Sequence, residues 1–131
     1  MVTIFTDGAC IGNPGAGGWG AILKYEQKTK ELSGGEKLTT NNRMEITAVI
    51  KALNALKYAT EVEVFSDSQY VVNTINKQYK IKMNGDLWSQ LFDAINRHNK
   101  VTFKWIKGHN GHPENERCDY LATREAQYIA K

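Results

Sequence analysis

Along this chain the spacing of apolar residues changes period several times, and the changes outline the elements. "VTIFT" alternates around Val2 and Ile4 and stops at Asp7-Gly8, as a half-buried strand does. "GWGAILKY" and "KELSGGEKL" are two further extended runs joined by the polar "EQKTK", predicting a meander of antiparallel strands. From Asn42 the period lengthens. Ile46, Val49, Ile50, Leu53 and Leu56 recur at helical spacing, predicting an amphipathic helix over 42–58. "VEVFS" at 62–66 reads as a strand, followed by a helix in "SQYVVNTINKQY" for which Asp67 can serve as cap. "DLWSQLFDAINRH" predicts a third helix, "VTFKWI" a fifth strand, and "PENERCDYLATREAQYIA" a last helix opening on Pro113. Three strands, helix, strand, two helices, strand and helix amount to an α/β chain with a mixed sheet. Such sheets bind ligands outside the C-terminal ends of their parallel strands.

The glycines near the start need separate attention. Gly15, Gly17 and Gly20 form a literal G-x-G-x-x-G, the pattern of a dinucleotide-binding turn. That turn must lead from a strand into a helix whose N-terminus faces the pyrophosphate. Here Gly20 leads into the strand-like "AILKY", so the context fails. A tight connection after the first strand, with backbone free to approach a bulky polymer beside Asp7, is the better expectation.

Bulk properties narrow the class. With 131 residues, 41% hydrophobic and 24% charged, the chain is expected to form a single domain over 1–131 rather than a disordered segment. No apolar run reaches the ~20 residues of a membrane span, and "MVTIFTDG" lacks a signal-peptide pattern. Cys10 and Cys118 form no C-x-x-C, so reduced thiols and a cytoplasmic location are expected. A net charge of +3 permits an anionic partner without requiring one. Lys77, Lys80 and Lys82 cluster in one stretch and Lys100, Lys104 and Lys107 in another; solvated faces are the ordinary explanation.

Four carboxylates carry the candidate chemistry. Asp7 and Asp67 close predicted strands, Glu45 opens the long helix, and Asp119 lies early in the last one. Each also has a structural reading: Asn42 and Glu45 fit a capping arrangement, Asp67 a cap, Asp7 a turn, and Asp119 a surface charge. Together, carboxylates at strand ends suit a pair of Mg²⁺ ions, which take oxygen ligands and at ~4 Å separation can stabilise both oxygens of a phosphodiester displacement. His109, in the glycine-flanked "KGHNGHPE", suits proton transfer, and Cys118 with His109 and His112 lacks the spacing of a zinc site.

Taken in order, "FTDGACIGNPGAGGWGAIL", "TTNNRMEI", "VEVFSDSQYV", "DLW" and "WIKGHNGHPENERCDYLA" resemble the type 1 ribonuclease H family over nearly the whole chain. The resemblance implies a ribonuclease H-like fold: a five-stranded mixed sheet, its first three strands antiparallel, with helices on both faces. It implies that Asp7, Glu45, Asp67 and Asp119 bind two Mg²⁺ ions, with Mn²⁺ also compatible, and that His109 assists turnover. The implied reaction is in-line attack of metal-activated water on the RNA strand of an RNA–DNA hybrid, leaving a 5′-phosphate and a 3′-hydroxyl. Asn13, Asn41, Asn42 and Gln69 match positions that read the RNA minor groove, where amides can pair with the 2′-hydroxyl. Thr40 and Asn84 match positions that hold a DNA-strand phosphate. Trp88 and Trp105 are expected in the core.

Two departures stand out. Only "KQYKIKMNGDLW" bridges the second and third helices, where many members carry an extra helix and basic loop. Leu38 stands two residues before Thr40, where the family often has a basic residue, with Lys37 as a substitute. A short form is therefore expected, acting as a monomer, with an auxiliary partner or tethered domain able to compensate for the absent protrusion. A resolvase-like nuclease, a binding module without catalysis and a domain from a reverse transcriptase are the competing readings.

Overall fold

A computed structural model describes residues 1–131. Its elements, in chain order, are β1 (Val2–Ile11), β2 (Gly15–Tyr25), β3 (Lys28–Thr39), α1 (Asn41–Asn54), β4 (Glu61–Ser66), α2 (Gln69–Asn76), α3 (Gly85–Asn96), β5 (Lys100–Trp105) and α4 (Pro113–Ala130). The sheet order is β3-β2-β1-β4-β5. The first three strands are antiparallel neighbours, whereas β1, β4 and β5 run parallel. This is the expected ribonuclease H-like mixed sheet.

Alternation along β1 assigns its two faces. Val2, Ile4, Thr6 and Gly8 point towards α1, and a Cβ on Gly8 would lie 2.5 Å from the Glu45 amide nitrogen. Ile4, Val62, Val64 and Phe103 from the sheet meet Ile46, Val49, Leu53, Val71, Trp88 and Leu91 in one apolar cluster on this side. On the opposite face α4 alone covers β1–β3. It approaches so closely that a Cβ on Gly18 would collide with the Ala122 carbonyl oxygen. The core is thus thickest between the sheet and α1–α3.

Several boundaries differ from the sequence reading, each for a local reason. β1 continues past Asp7 to Ile11, because β2 still pairs with it there, from Asp7↔Gly20 to Ile11↔Ala16. Gly15, Gly17 and Gly20 therefore sit inside β2, where a Cβ would strike the Ile11 carbonyl of β1, the Thr39 and Met44 side chains, and α4 at Cys118, respectively. The connection is the short Gly12–Asn13–Pro14, with Gly12 at positive φ. α1 ends at Asn54 because the Ala55 N–H divides between the Lys51 and Ala52 carbonyls and Leu56 bonds back to Leu53, a tightened last turn. α2 ends at Asn76, and residues 77–84 reach α3 with no helix between, so the extra helix is absent as expected. No helix is long and apolar enough to cross a membrane.

Candidate active site

The parallel pairing of β1 with β4 ends at Thr6↔Ser66. The next residue of each strand is an aspartate, so Asp7 and Asp67 emerge side by side at the C-terminal edge. Glu45 reaches the same point from α1, in its second turn rather than its first. Carboxylate oxygens of Asp7, Glu45 and Asp67 lie within 4.8 Å of one another. Neither aspartate nor glutamate here is used as a cap. Thr40 caps α1, its Oγ1 accepting from the Arg43 N–H at 3.2 Å, and Ser68 caps α2, its Oγ accepting from the Val71 N–H at 3.1 Å.

Two of these acids, Asp7 and Glu45, are buried, Asp67 is half-buried, and none has a counter-charge. Asp7 is 4% and Glu45 5% exposed. Asp7 Oδ1 accepts one bond, from the Gly8 N–H at 2.9 Å, while Glu45 Oε1 is buried with no donor at all. No lysine or arginine pairs with any of the three. Burial, then the negative charge of Asp67, pushes Asp7 up to about 8. Glu45 is raised well above the ordinary carboxylate range by burial first and by Asp7 second. Buried acids normally find a partner. Three hard oxygen donors within 4.8 Å of one another, one of them unsatisfied, fit a divalent cation such as Mg²⁺ or Mn²⁺.

Asp119, half-buried in α4, stands outside the three-acid group but close enough that its charge adds to the upward push on Asp7. His109 is exposed on the loop between β5 and α4, at φ 55°. Its neighbour Gly108 is packed onto the Asp67 carboxylate so closely that a Cβ would strike Oδ2, which brings the histidine loop to the acids. Trp105 does not join the core. It is 45% exposed, and its indole N–H donates to the Asp67 carbonyl at 3.1 Å. Trp88, by contrast, is 1% exposed, as expected.

Beside the acids lies a groove of about 740 Å³. Asn13, Thr40, Asn41, Asn42 and Asn84 all line it, together with Tyr70. Asn13 Oδ1 accepts from the Asn41 N–H at 2.8 Å, tying the β1–β2 connection to the start of α1. Gln69 is exposed at the start of α2, two residues from Asp67, and does not line the groove. Lys80 and Lys82 face the groove but Lys77 does not. Lys104, from the other lysine stretch, is spent on Glu63 at 2.7 Å. Leu38 is 75% exposed. Cys10 and Cys118 are free thiols, and burial pushes the Cys118 thiol up.

Sequence reasoning overlooked a network that fixes Asn84. Its Oδ1 accepts from Arg43 at 3.3 Å and its Nδ2 donates to the Tyr70 hydroxyl at 3.2 Å. The same hydroxyl accepts from the Trp88 indole at 2.9 Å, and Arg43 grips Asp86 through both terminal guanidinium nitrogens at 3.0 and 2.7 Å. The available signal was Arg43 and Asp86 flanking the two groove segments.

Comparisons with known proteins agree with this geometry. The RNase H family model matches residues 1–127. A ribonuclease H of Rhizobium meliloti is 54% identical, the match covering 99% of this chain and 93% of that one. A ribonuclease H of Mesorhizobium japonicum is 56% identical over 93% of this chain and 76% of its own. Among solved structures, LC11-RNase H1 in complex with an RNA/DNA hybrid superposes with a TM-score of 0.87 at 28% identity, covering 100% of both chains. The N-terminal RNase H domain of a Mycobacterium tuberculosis protein, fused to maltose-binding protein, also gives 0.87, at 27% identity over 98% and 95%. With this family match, these relatives and the shared fold, the chain belongs to the type 1 ribonuclease H family, whose members are nucleases.

Proposed function

We propose that this chain is an endoribonuclease that hydrolyses the RNA strand of RNA–DNA hybrids, leaving 5′-phosphate and 3′-hydroxyl ends. The observation that carries the reading is the convergence of Asp7, Glu45 and Asp67 oxygens within 4.8 Å, with one Glu45 oxygen buried and donorless. Asp7, Glu45 and Asp67, with Asp119 beside them, are the residues that would hold two Mg²⁺ or Mn²⁺ ions. Bound there, such ions would supply the positive charge that a phosphodiester displacement needs.

The protein's own groups do the rest. Asp7 and Glu45 keep the site rigid because both are anchored in buried backbone, one in β1 and one in α1. Asn13, Asn41, Asn42 and Gln69 offer amides to the RNA strand, where a group that both donates and accepts can recognise the 2′-hydroxyl. Thr40 and Asn84 receive a phosphate of the DNA strand, and Arg43 with Tyr70 holds Asn84 in position for it. His109 moves a proton at the departing 3′-oxygen from its exposed loop and helps product leave. The hybrid bound to LC11-RNase H1 supports this choice of substrate. One chain suffices for the reaction, in a cytoplasmic setting.

The test is cleavage of a labelled RNA–DNA hybrid with Mg²⁺ or Mn²⁺, against matched RNA–RNA and DNA–DNA duplexes. Cutting confined to the RNA strand of the hybrid, with a 5′-phosphate on the product, is expected. Equal cutting of all three duplexes would overturn the reading.

A further inference from the structure

The acids at the C-terminal edge of the sheet have a second neighbour besides the groove. Thr6, Ser66 and Trp105 are aligned across β1, β4 and β5, so Trp105 stands level with the residues that precede Asp7 and Asp67. At ~4.8 Å per strand, it is one strand away from β4 and two from β1. The groove is built from other elements, and no residue of β5 lines it. Alternation gives Trp105 the same face as Phe103, yet Phe103 is 3% exposed and Trp105 45%. The indole N–H, donating to the Asp67 carbonyl at 3.1 Å, pins the ring beside the acids. Lys107, two residues on, is exposed and pairs with no carboxylate, unlike Lys104.

We propose that the open face of Trp105 packs against a ribose of the RNA strand next to the scissile phosphate, a contact that presupposes hybrid cleavage at the acids. A large aromatic ring already held by its N–H loses little freedom on contact, so the apolar area it covers is gained at low entropic cost. The occupant follows from the places already taken. Thr40 and Asn84 receive the DNA strand in the groove, and the acids receive the RNA phosphate, so the strand that continues from the acids towards β5 is the RNA. Inside a duplex the bases are paired, and the strand presents sugar and phosphate to the protein. A ribose offers C–H groups to the ring, and the adjoining phosphate meets the uncommitted charge of Lys107. Such a contact ignores base identity, as stacking platforms for nucleic acid do. A protein partner seated on Trp105 would instead compete with substrate for the same edge.

The chain has three tryptophans, and Trp19 at 8% and Trp88 at 1% exposure are closed to solvent, so acrylamide quenching of tryptophan emission reports on Trp105. The Asp7→Asn chain can be held on an uncut hybrid, with binding followed in parallel by anisotropy of a label on the DNA strand. Bound hybrid should lower the quenching constant by about threefold or more. In the otherwise unaltered chain, Trp105→Ala should raise the KM for hybrid about tenfold with kcat within about twofold. Trp105→Phe keeps an aromatic face but loses the N–H, and should stay within about threefold of the parent KM. Bound hybrid that leaves the quenching unaltered would overturn the proposal. So would equal losses from the two substitutions, which would make the N–H bond to Asp67 the feature that matters. A chain whose anisotropy shows no hybrid binding at all would count against the nuclease reaction as well, whereas binding without shielding counts against this contact alone.

Discussion

Asp7 and Asp86 begin with the same chemistry and are driven in opposite directions. Asp86 lies in the open at the start of α3, where the Arg43 guanidinium holds its carboxyl down at about 2. Asp7 is buried beside Glu45 and Asp67 and is pushed up to about 8. The exposed acid has a permanent cation and helps fasten two elements together. The buried acid has none, and its environment opposes the charge it needs for metal binding. A site that keeps acids unpaired in the interior is reserved for something that arrives from outside.

The sharpest way to test this contrast is to remove each acid in turn. Asp7→Asn should reduce hybrid cleavage by at least about 10³-fold, because a neutral amide is a poor cation ligand. The same change should stabilise the metal-free chain at pH 8, by about 1–3 kcal/mol, because it relieves repulsion among buried acids. Urea unfolding in EDTA reads the second effect, and a loss of stability there would contradict the unpaired character of the site.

The pH dependence should separate the two acids next. With Asp7 near 8 in the fold and 3.8 as its ordinary value, the folded state binds the extra proton between those limits. Metal-free stability should therefore fall as pH rises from about 4 to about 8 through this group. Mg²⁺ should raise the melting temperature more at pH 8 than at pH 5, since ionised carboxylates bind it best. Asp86 has the reverse sign. Its contribution is present above about 4 and is lost as pH falls towards about 2, and Asp86→Asn should remove that acid-side slope. Melting curves across pH, with EDTA and with Mg²⁺, check both.

Smaller effects probe the supports. Ser68→Ala removes the α2 cap next to Asp67 and should cost about 0.5–2 kcal/mol. Arg43→Ala frees Asn84 and should raise the KM for hybrid several-fold with little change in kcat, whereas a fall in kcat alone would argue against a role in substrate positioning.

Much of this arrangement is legible in the amino-acid sequence itself. α4 could be bounded because Pro113 marks its first residue and the apolar spacing then runs unbroken. The acids could be found because strands in "VTIFT" and "VEVFS" both run into an aspartate. What could not be read were choices among neighbours. Thr40 beside Asn42, and Ser68 beside Asp67, are both competent caps, and only the backbone path decides between them. The motif glycines of β2 resemble a loop because the close approaches they permit, for Gly20 the passage of α4 a hundred residues away in sequence, leave no mark in the local pattern. Trp105 looked like core because composition does not reveal that its indole is needed by the Asp67 carbonyl.

The alignment of Thr6 with Ser66 has one further consequence. The lateral spacing between the two aspartates is inherited from the ~4.8 Å repeat of main-chain hydrogen bonding, independent of which side chains fill the strands. Substitutions within β1 and β4 can therefore accumulate without changing the gauge between the acids. A single-residue insertion or deletion in either strand cannot. It would turn one carboxylate to the other face of the sheet, so the lineage is free to drift in letters while its letter count in these two segments stays locked.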